Sequence, residues 1–144
     1  MRKTERVIGE GTVIHCPKLT NLYGCRIGKD CTIAAFVEIG RGVIVGDRCH
    51  IQAYTYIPSG VVIGNDVFIG PRVTFLNDKY PPSHGAWRET PPTVVMNAAV
   101  IGGSVTVLPG LTIGQGAFIG AGSLITKNVP DGERWMGVPA RKIS

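Results

Sequence analysis

Large apolar residues recur at every sixth position over most of this chain. Counted from Ile27, the column reads Ile27, Ile33, Ile39, Val45, Ile51, Ile57, Ile63, Ile69 and Phe75. Counted again from Val95, it reads Val95, Ile101, Val107, Ile113, Ile119 and Ile125. All fifteen positions are large and apolar in a chain that is 44% hydrophobic, which chance in a fixed register gives about a few times in a million. Two residues before each lies a second column, mostly small or β-branched: Cys25, Cys31, Val37, Val43, Cys49, Thr55, Val61, Val67 and Val73, then Thr93, Ala99, Val105, Leu111, Ala117 and Ser123. Residues two apart on a strand share a face. Each hexad therefore predicts a short strand with one small and one large inward side chain.

The position after the large apolar residue is glycine at Gly28, Gly40, Gly46, Gly64, Gly70, Gly102, Gly114 and Gly120. Eight of fifteen is well above the two that composition alone would place there. The expectation is that these glycines supply the left-handed backbone of sharp corners. Strands this short bury a core only by stacking into a coil, and six is not a helical period. Cys25, Cys31 and Cys49 fall in the small inward column, which favours a core role over a disulfide or a zinc site; Cys16 is outside the register and stays open.

Residues eighteen apart then share one outer face of a triangular coil. One face shows Arg26, Ile44 and Val62, the second Thr32, His50 and Phe68, the third Glu38, Tyr56 and Thr74. Two irregularities stand out. Ile14 to Ile27 is one residue longer than two hexads, so a bulge is expected near residues 18–24. Phe75 to Val95 is twenty residues, and the break holds Pro81, Pro82, Pro91 and Pro92, which cannot sit in a central strand. An extruded loop is expected at about residues 79–92, carrying function as excursions from rigid scaffolds do. If it replaces a single corner, Val94 and Thr112 continue the first face, and Val100 and Phe118 the second. Apolar stripes (Ile44, Val62, Val94; Phe68, Val100, Phe118) then mark partner surfaces, self-association being the simplest.

The 144 residues make one domain, residues 1–144. No apolar run has the length of a membrane span, and Met1-Arg2-Lys3-Thr4-Glu5-Arg6 is charged with no signal-peptide core after it, so a cytoplasmic location without membrane partners is expected. The net charge of +5 favours anionic partners, but Lys and Arg are scattered, which argues against nucleic acid.

The pattern of a large aliphatic residue, then glycine, with a small residue two before, resembles the hexapeptide-repeat acyltransferases. The resemblance implies an all-β fold, a left-handed parallel β-helix of hexapeptide repeats with one extruded loop, in a homotrimer. It sharpens at Phe75-Leu76-Asn77-Asp78-Lys79-Tyr80-Pro81, which is similar to a motif of bacterial nucleotide-sugar N-acetyltransferases. Asn21-Leu22-Tyr23-Gly24-Cys25 and the tail Gly137-Val138-Pro139-Ala140-Arg141 fit the same group. Such enzymes move an acetyl group from acetyl-CoA to an amine on a nucleotide-linked sugar, for surface polysaccharide or glycoside synthesis. Other acceptors (serine, a simple sugar, an antibiotic) and a non-catalytic trimeric scaffold are the alternatives.

The reaction needs a neutral amine beside the thioester, donors for the developing oxyanion and a destination for the amine proton. Asn77 can orient the amine or donate to oxygen, and Asp78 can accept from the amine or fix a neighbour; a simple Asn-Asp turn is the other reading. His84 is the loop histidine and suits general base work, although in this group the departing thiolate can take the proton instead. Gln52, Tyr54, Tyr80 and Trp87 are candidates for contacting sugar or base. In the family the CoA arm lies along corners of the C-terminal coils, here near Gly102, Gly103, Gly120 and Ala121, and Lys127, Arg141 and Lys142 are candidates for its phosphates. No metal is expected: His15, His50 and His84 are too far apart to form a ligand cluster.

Overall fold

A computed structural model of the chain describes residues 6–144. Nearly every hexad forms a two-residue strand, and the strands stack into three sheets, in parallel except for the antiparallel pair of tail strands Arg134–Gly137 and Ala140–Lys142. The first sheet runs Val7–Ile8, Arg26–Ile27, Ile44–Val45, Val61–Ile63, Thr93–Val95 and Thr112–Ile113. The second begins at Val13–Ile14 and ends on the tail strands Arg134–Gly137 and Ala140–Lys142. The third runs from Asn21–Leu22 to Leu124–Ile125. This is the all-β coil of the left-handed parallel β-helix class. Among the described residues no helix is long and apolar enough to cross a membrane.

Both inward columns are buried, apart from the partly buried Leu111. Every large position from Ile27 to Ile125 is at most 2% exposed, and Phe75 heads the fully buried side chains by size. Cys25, Cys31 and Cys49 are buried free thiols and Cys16 is a partly buried one. The small column also has a polar task. Cys31 Sγ donates to the carbonyl of Gly46 and Cys49 Sγ to that of Gly64, each at 3.1 Å. Thr55 Oγ1 makes the equivalent bond to Gly70 at 2.9 Å. A buried corner carbonyl must find a donor, and a small side chain fifteen residues earlier supplies it. Contact with Cys31 and burial raise the Cys49 thiol above its ordinary range, which keeps it a donor.

The corners correct one expectation. None of the eight glycines after the large column has a left-handed backbone. The left-handed position lies two residues further on, three after each inward aliphatic residue, and it is held by varied residues: Asp30, Phe36, Gly42, Arg48, Tyr54, Gly60, Asp66, Arg72, Ala98, Ser104, Gly110, Gly116 and Gly122. The glycines are required for a different reason. A Cβ on Gly70 would lie 2.6 Å from the nitrogen of Gly103, and one on Gly102 2.7 Å from that of Ala121. They let successive coils approach backbone to backbone. Two members of that series lack a left-handed backbone: Asp78, at the corner where the loop leaves the coil, and Asn128, after the last coil strand Leu124–Ile125.

The bulge near residues 18–24 resolves into two changes. A short 3-10 turn, Pro17–Leu19, lengthens one corner, and Leu22 to Ile27 is one residue shorter than a hexad. The register across the long loop is the simple one: Val62 pairs with Val94, Phe68 with Val100 and Thr74 with Thr106. The two apolar stripes therefore exist as expected, with Ile44, Phe68 and Phe118 among the exposed large side chains.

Candidate active site

The loop leaves the corner that follows Thr74–Phe75, makes a short 3-10 turn at Ala86–Glu89 and returns at Thr93–Val95. It folds back over the third face of its own chain. Trp87 and Arg88 line a cavity of about 570 Å³ together with Glu38 and Tyr56, outward residues of successive coils on that face, and Tyr23, at the corner after Leu22 one coil earlier. Gly40, Arg41, Pro58, Ser59 and Asn77 line its corner side. A cavity this size suits a small-molecule ligand. Desolvation and the neighbouring Glu38 raise the Tyr56 phenol, so Tyr56 presents a protonated hydroxyl at neutral pH.

Asn77 and Asp78 are adjacent but serve different cavities. Asn77 donates Nδ2–H to the carbonyl of Ser59 at 3.0 Å and faces the large cavity. Asp78 lines a smaller one of about 190 Å³ with Lys79, Tyr80, Ser83, Ala86, Trp87 and Thr90. Its Oδ2 accepts from the Ser83 N–H at 3.0 Å, and Ser83 Oγ accepts from the Trp87 N–H at 3.1 Å. This relay sets the loop and places Trp87 between the two cavities. Asp78 Oδ1 is buried without a hydrogen-bond partner.

His84 is exposed and lines none of these cavities. Tyr80 is 77% exposed, with the Lys79 ammonium 5.6 Å from its ring centre.

The other candidates occupy a different edge, the corner between the second and third faces. Gln52 and Tyr54 sit there, stacked coil on coil below Gly102, Gly103, Gly120 and Ala121. Tyr54 is sandwiched, with Phe36 stacked on it at 4.9 Å and the Arg72 guanidinium 5.7 Å from its ring centre. The coil ladder takes the N–H of Gly102 (to Ile119, 2.8 Å) and of Gly120 (to Trp135, 2.9 Å). Lys127 is exposed beyond Leu124–Ile125. Arg141 and Lys142 lie on the tail strand, where Lys142 Nζ is 3.5 Å from Glu133 Oε2 and Arg141 Nη1 donates to the Ala140 carbonyl at 3.0 Å. None of the three cavities beside the loop is lined by both sets of residues.

Sequence reasoning did not single out Tyr23, Glu38, Arg41, Tyr56 and Arg88 as a site. Only Glu38 and Tyr56 were placed on a common face. Among the described residues no group of three or more His, Cys, Asp or Glu could hold a metal ion.

A parallel coil of this kind, interrupted by one loop over a cavity, defines the hexapeptide-repeat class of β-solenoids. The bacterial transferase hexapeptide family (six repeats) matches residues 24–59, 42–77 and 92–127, more than half of the chain, and the chain belongs to that family. The galactoside O-acetyltransferase of Escherichia coli is 38% identical over 83 residues, 55% of this chain and 41% of that protein. This chain thus spans about two fifths of that relative's length. The fold is also that of a GDP-perosamine N-acetyltransferase variant from Caulobacter crescentus in complex with CoA and GDP-perosamine (TM-score 0.73, 21% identity, 96% of this chain and 57% of that one). A variant of the N-acyltransferase AntD from Bacillus cereus, in complex with dTDP-4-amino-4,6-dideoxyglucose and coenzyme A, superposes with a TM-score of 0.80 at 22% identity over 96% of this chain and 82% of that one.

Proposed function

We propose that this protein is an N-acetyltransferase that moves the acetyl group of acetyl-CoA to the amine of a nucleotide-linked amino sugar, for surface polysaccharide or glycoside assembly. The observation that carries the reading is Asn77: its carboxamide is fixed on the Ser59 carbonyl at the wall of a ligand-sized cavity, at the point where the hexad rule breaks. The sugar-nucleotide and CoA complexes of the similar folds support the same reaction class.

In this reading the Asn77 carboxamide holds the amine in the large cavity, and Asp78 fixes the loop that walls it through the Ser83 N–H. The exposed position of His84 favours an amine over a hydroxyl acceptor. An amine in its neutral form needs no strong base, and the departing CoA thiolate takes its proton. The acyl donor runs along the Gly102, Gly103, Gly120 and Ala121 edge, with Lys127, Arg141 and Lys142 near its phosphates. Because that edge and the Asn77 cavity are separate within one chain, the complete site forms between chains of a homotrimer, joined through the apolar stripes, in the cytoplasm.

The test is thiol release from acetyl-CoA against a panel of nucleotide-linked amino sugars, with calorimetry for CoA. Turnover with one of the amines is expected. No turnover with any of them, together with no CoA binding, would overturn the reading.

A further inference from the structure

We infer that the cavity between the loop and the third face is the subsite for the diphosphate of the acceptor, clamped by Arg41 from the coil and Arg88 from the loop. The inference rests on the proposed nucleotide-linked acceptor and adds which residues read its anionic part. Two arginines that are far apart in sequence line the same cavity, Arg41 from the coil corner that also carries Asn77 and Arg88 from the loop. Guanidinium forks match phosphate oxygens in a way that few other side chains do. The Arg88 guanidinium is held over the Trp87 ring at 4.7 Å, and its Nη1 reaches the Gly85 carbonyl at 3.4 Å. It is therefore presented by a preset turn rather than by an extended side chain.

The remaining lining fits the rest of such a ligand. Tyr23, Tyr56 and Trp87 offer aromatic faces of the kind that pack on a nucleobase or sugar ring. Glu38 is the one carboxylate on the wall. It disfavours a bare polyanion filling the whole space and favours a ligand that brings N–H or O–H donors beside its phosphates. Mixed charge, aromatic surface and a volume of about 570 Å³ describe a nucleoside diphosphate better than free phosphate.

The test is calorimetric titration of the full chain with UDP, dTDP and GDP, with the matching nucleosides and with inorganic pyrophosphate, alongside CoA as a separate probe. At least one nucleoside diphosphate is expected to bind more tightly than its nucleoside. Arg88→Ala is expected to weaken that binding about ten- to a hundredfold, with Arg88→Lys intermediate, Arg41→Ala similar to Arg88→Ala and CoA affinity unchanged. Arg88 is exposed on the loop, so its removal leaves the coil intact.

Three results would overturn the inference: no nucleoside diphosphate binds, nucleoside and diphosphate bind equally, or both arginine variants bind as wild type. If the last is found while acetyl transfer persists, the clamp is wrong and the transferase reading stands. If CoA does not bind and no amine is acetylated, the transferase reading falls, and the nucleoside diphosphate titration still decides the clamp.

Discussion

Asn77 donates Nδ2–H to the main-chain carbonyl of Ser59, 3.0 Å away and one coil earlier. A carbonyl oxygen only accepts, so the contact decides which end of the carboxamide faces the coil: nitrogen toward Ser59, Oδ1 away from it. Oδ1 becomes a positioned acceptor on the cavity wall, suited to an amine N–H. Asn77→Asp keeps the size but sets a carboxylate against the carbonyl, and Asn77→Ala removes both functions. Each should lower kcat/KM by about a hundredfold, the cost of a misplaced reacting group, with the melting temperature close to wild type. Thiol-release kinetics beside a thermal melt check this. Wild-type turnover in Asn77→Ala would reduce Asn77 to a corner residue.

The Asp78–Ser83–Trp87 relay makes a separate claim about the loop. Asp78→Ala removes a charge-assisted bond to the Ser83 N–H, and Ser83→Ala removes only the acceptor of the Trp87 N–H. Amide exchange at Trp87 should quicken about tenfold in Ser83→Ala, which removes that amide's own acceptor, and less in Asp78→Ala, which loosens it only through Ser83. Exchange in the strands on either side of the loop should not change. Equal protection in all three proteins would mean that the loop is held by packing of Trp87 alone.

The inward columns were legible in the sequence because they are local: a residue and its sixth neighbour meet the same core. The place of the break was legible for the same reason, and so was the register that carries Val62 to Val94. Two things were not. The direction of the loop is set by where Trp87 finds a surface, and that surface is built from Tyr23, Glu38 and Tyr56, far away in sequence. The role of the glycine column was misread because spacing alone does not separate a left-handed corner from a close backbone approach. The left-handed position is held by residues as unlike as Phe36, Tyr54 and Arg72, so composition gave no sign of it.

Thr55 tests the polar role of the small inward column. Its Oγ1 is buried and donates to the Gly70 carbonyl at 2.9 Å. Thr55→Val keeps the shape and leaves that carbonyl without a donor, which should cost about 1–3 kcal/mol. Thr55→Cys restores a donor of the kind seen at Cys31 and Cys49 and should recover part of the loss. Equilibrium denaturation of the three proteins measures both changes. A Val variant as stable as wild type would mean that burial, not hydrogen bonding, selects this column.

Gly46 and Gly42 separate the two reasons for glycine at a corner. Gly46 is not left-handed, but a Cβ there would sit 2.5 Å from the carbonyl oxygen of Gly64, against backbone that cannot move alone. Gly42 has φ +79, and a Cβ there meets nothing within 4 Å. Gly46→Ala should therefore destabilise the coil by about 1–3 kcal/mol, the usual cost of overpacking. Gly42→Asn should cost much less, because Asn tolerates the left-handed region. Both corners lie outside the strands, so neither change removes an inward side chain. If denaturation midpoints show the reverse order, backbone conformation rather than coil spacing sets the glycine column, and the original expectation from the sequence returns.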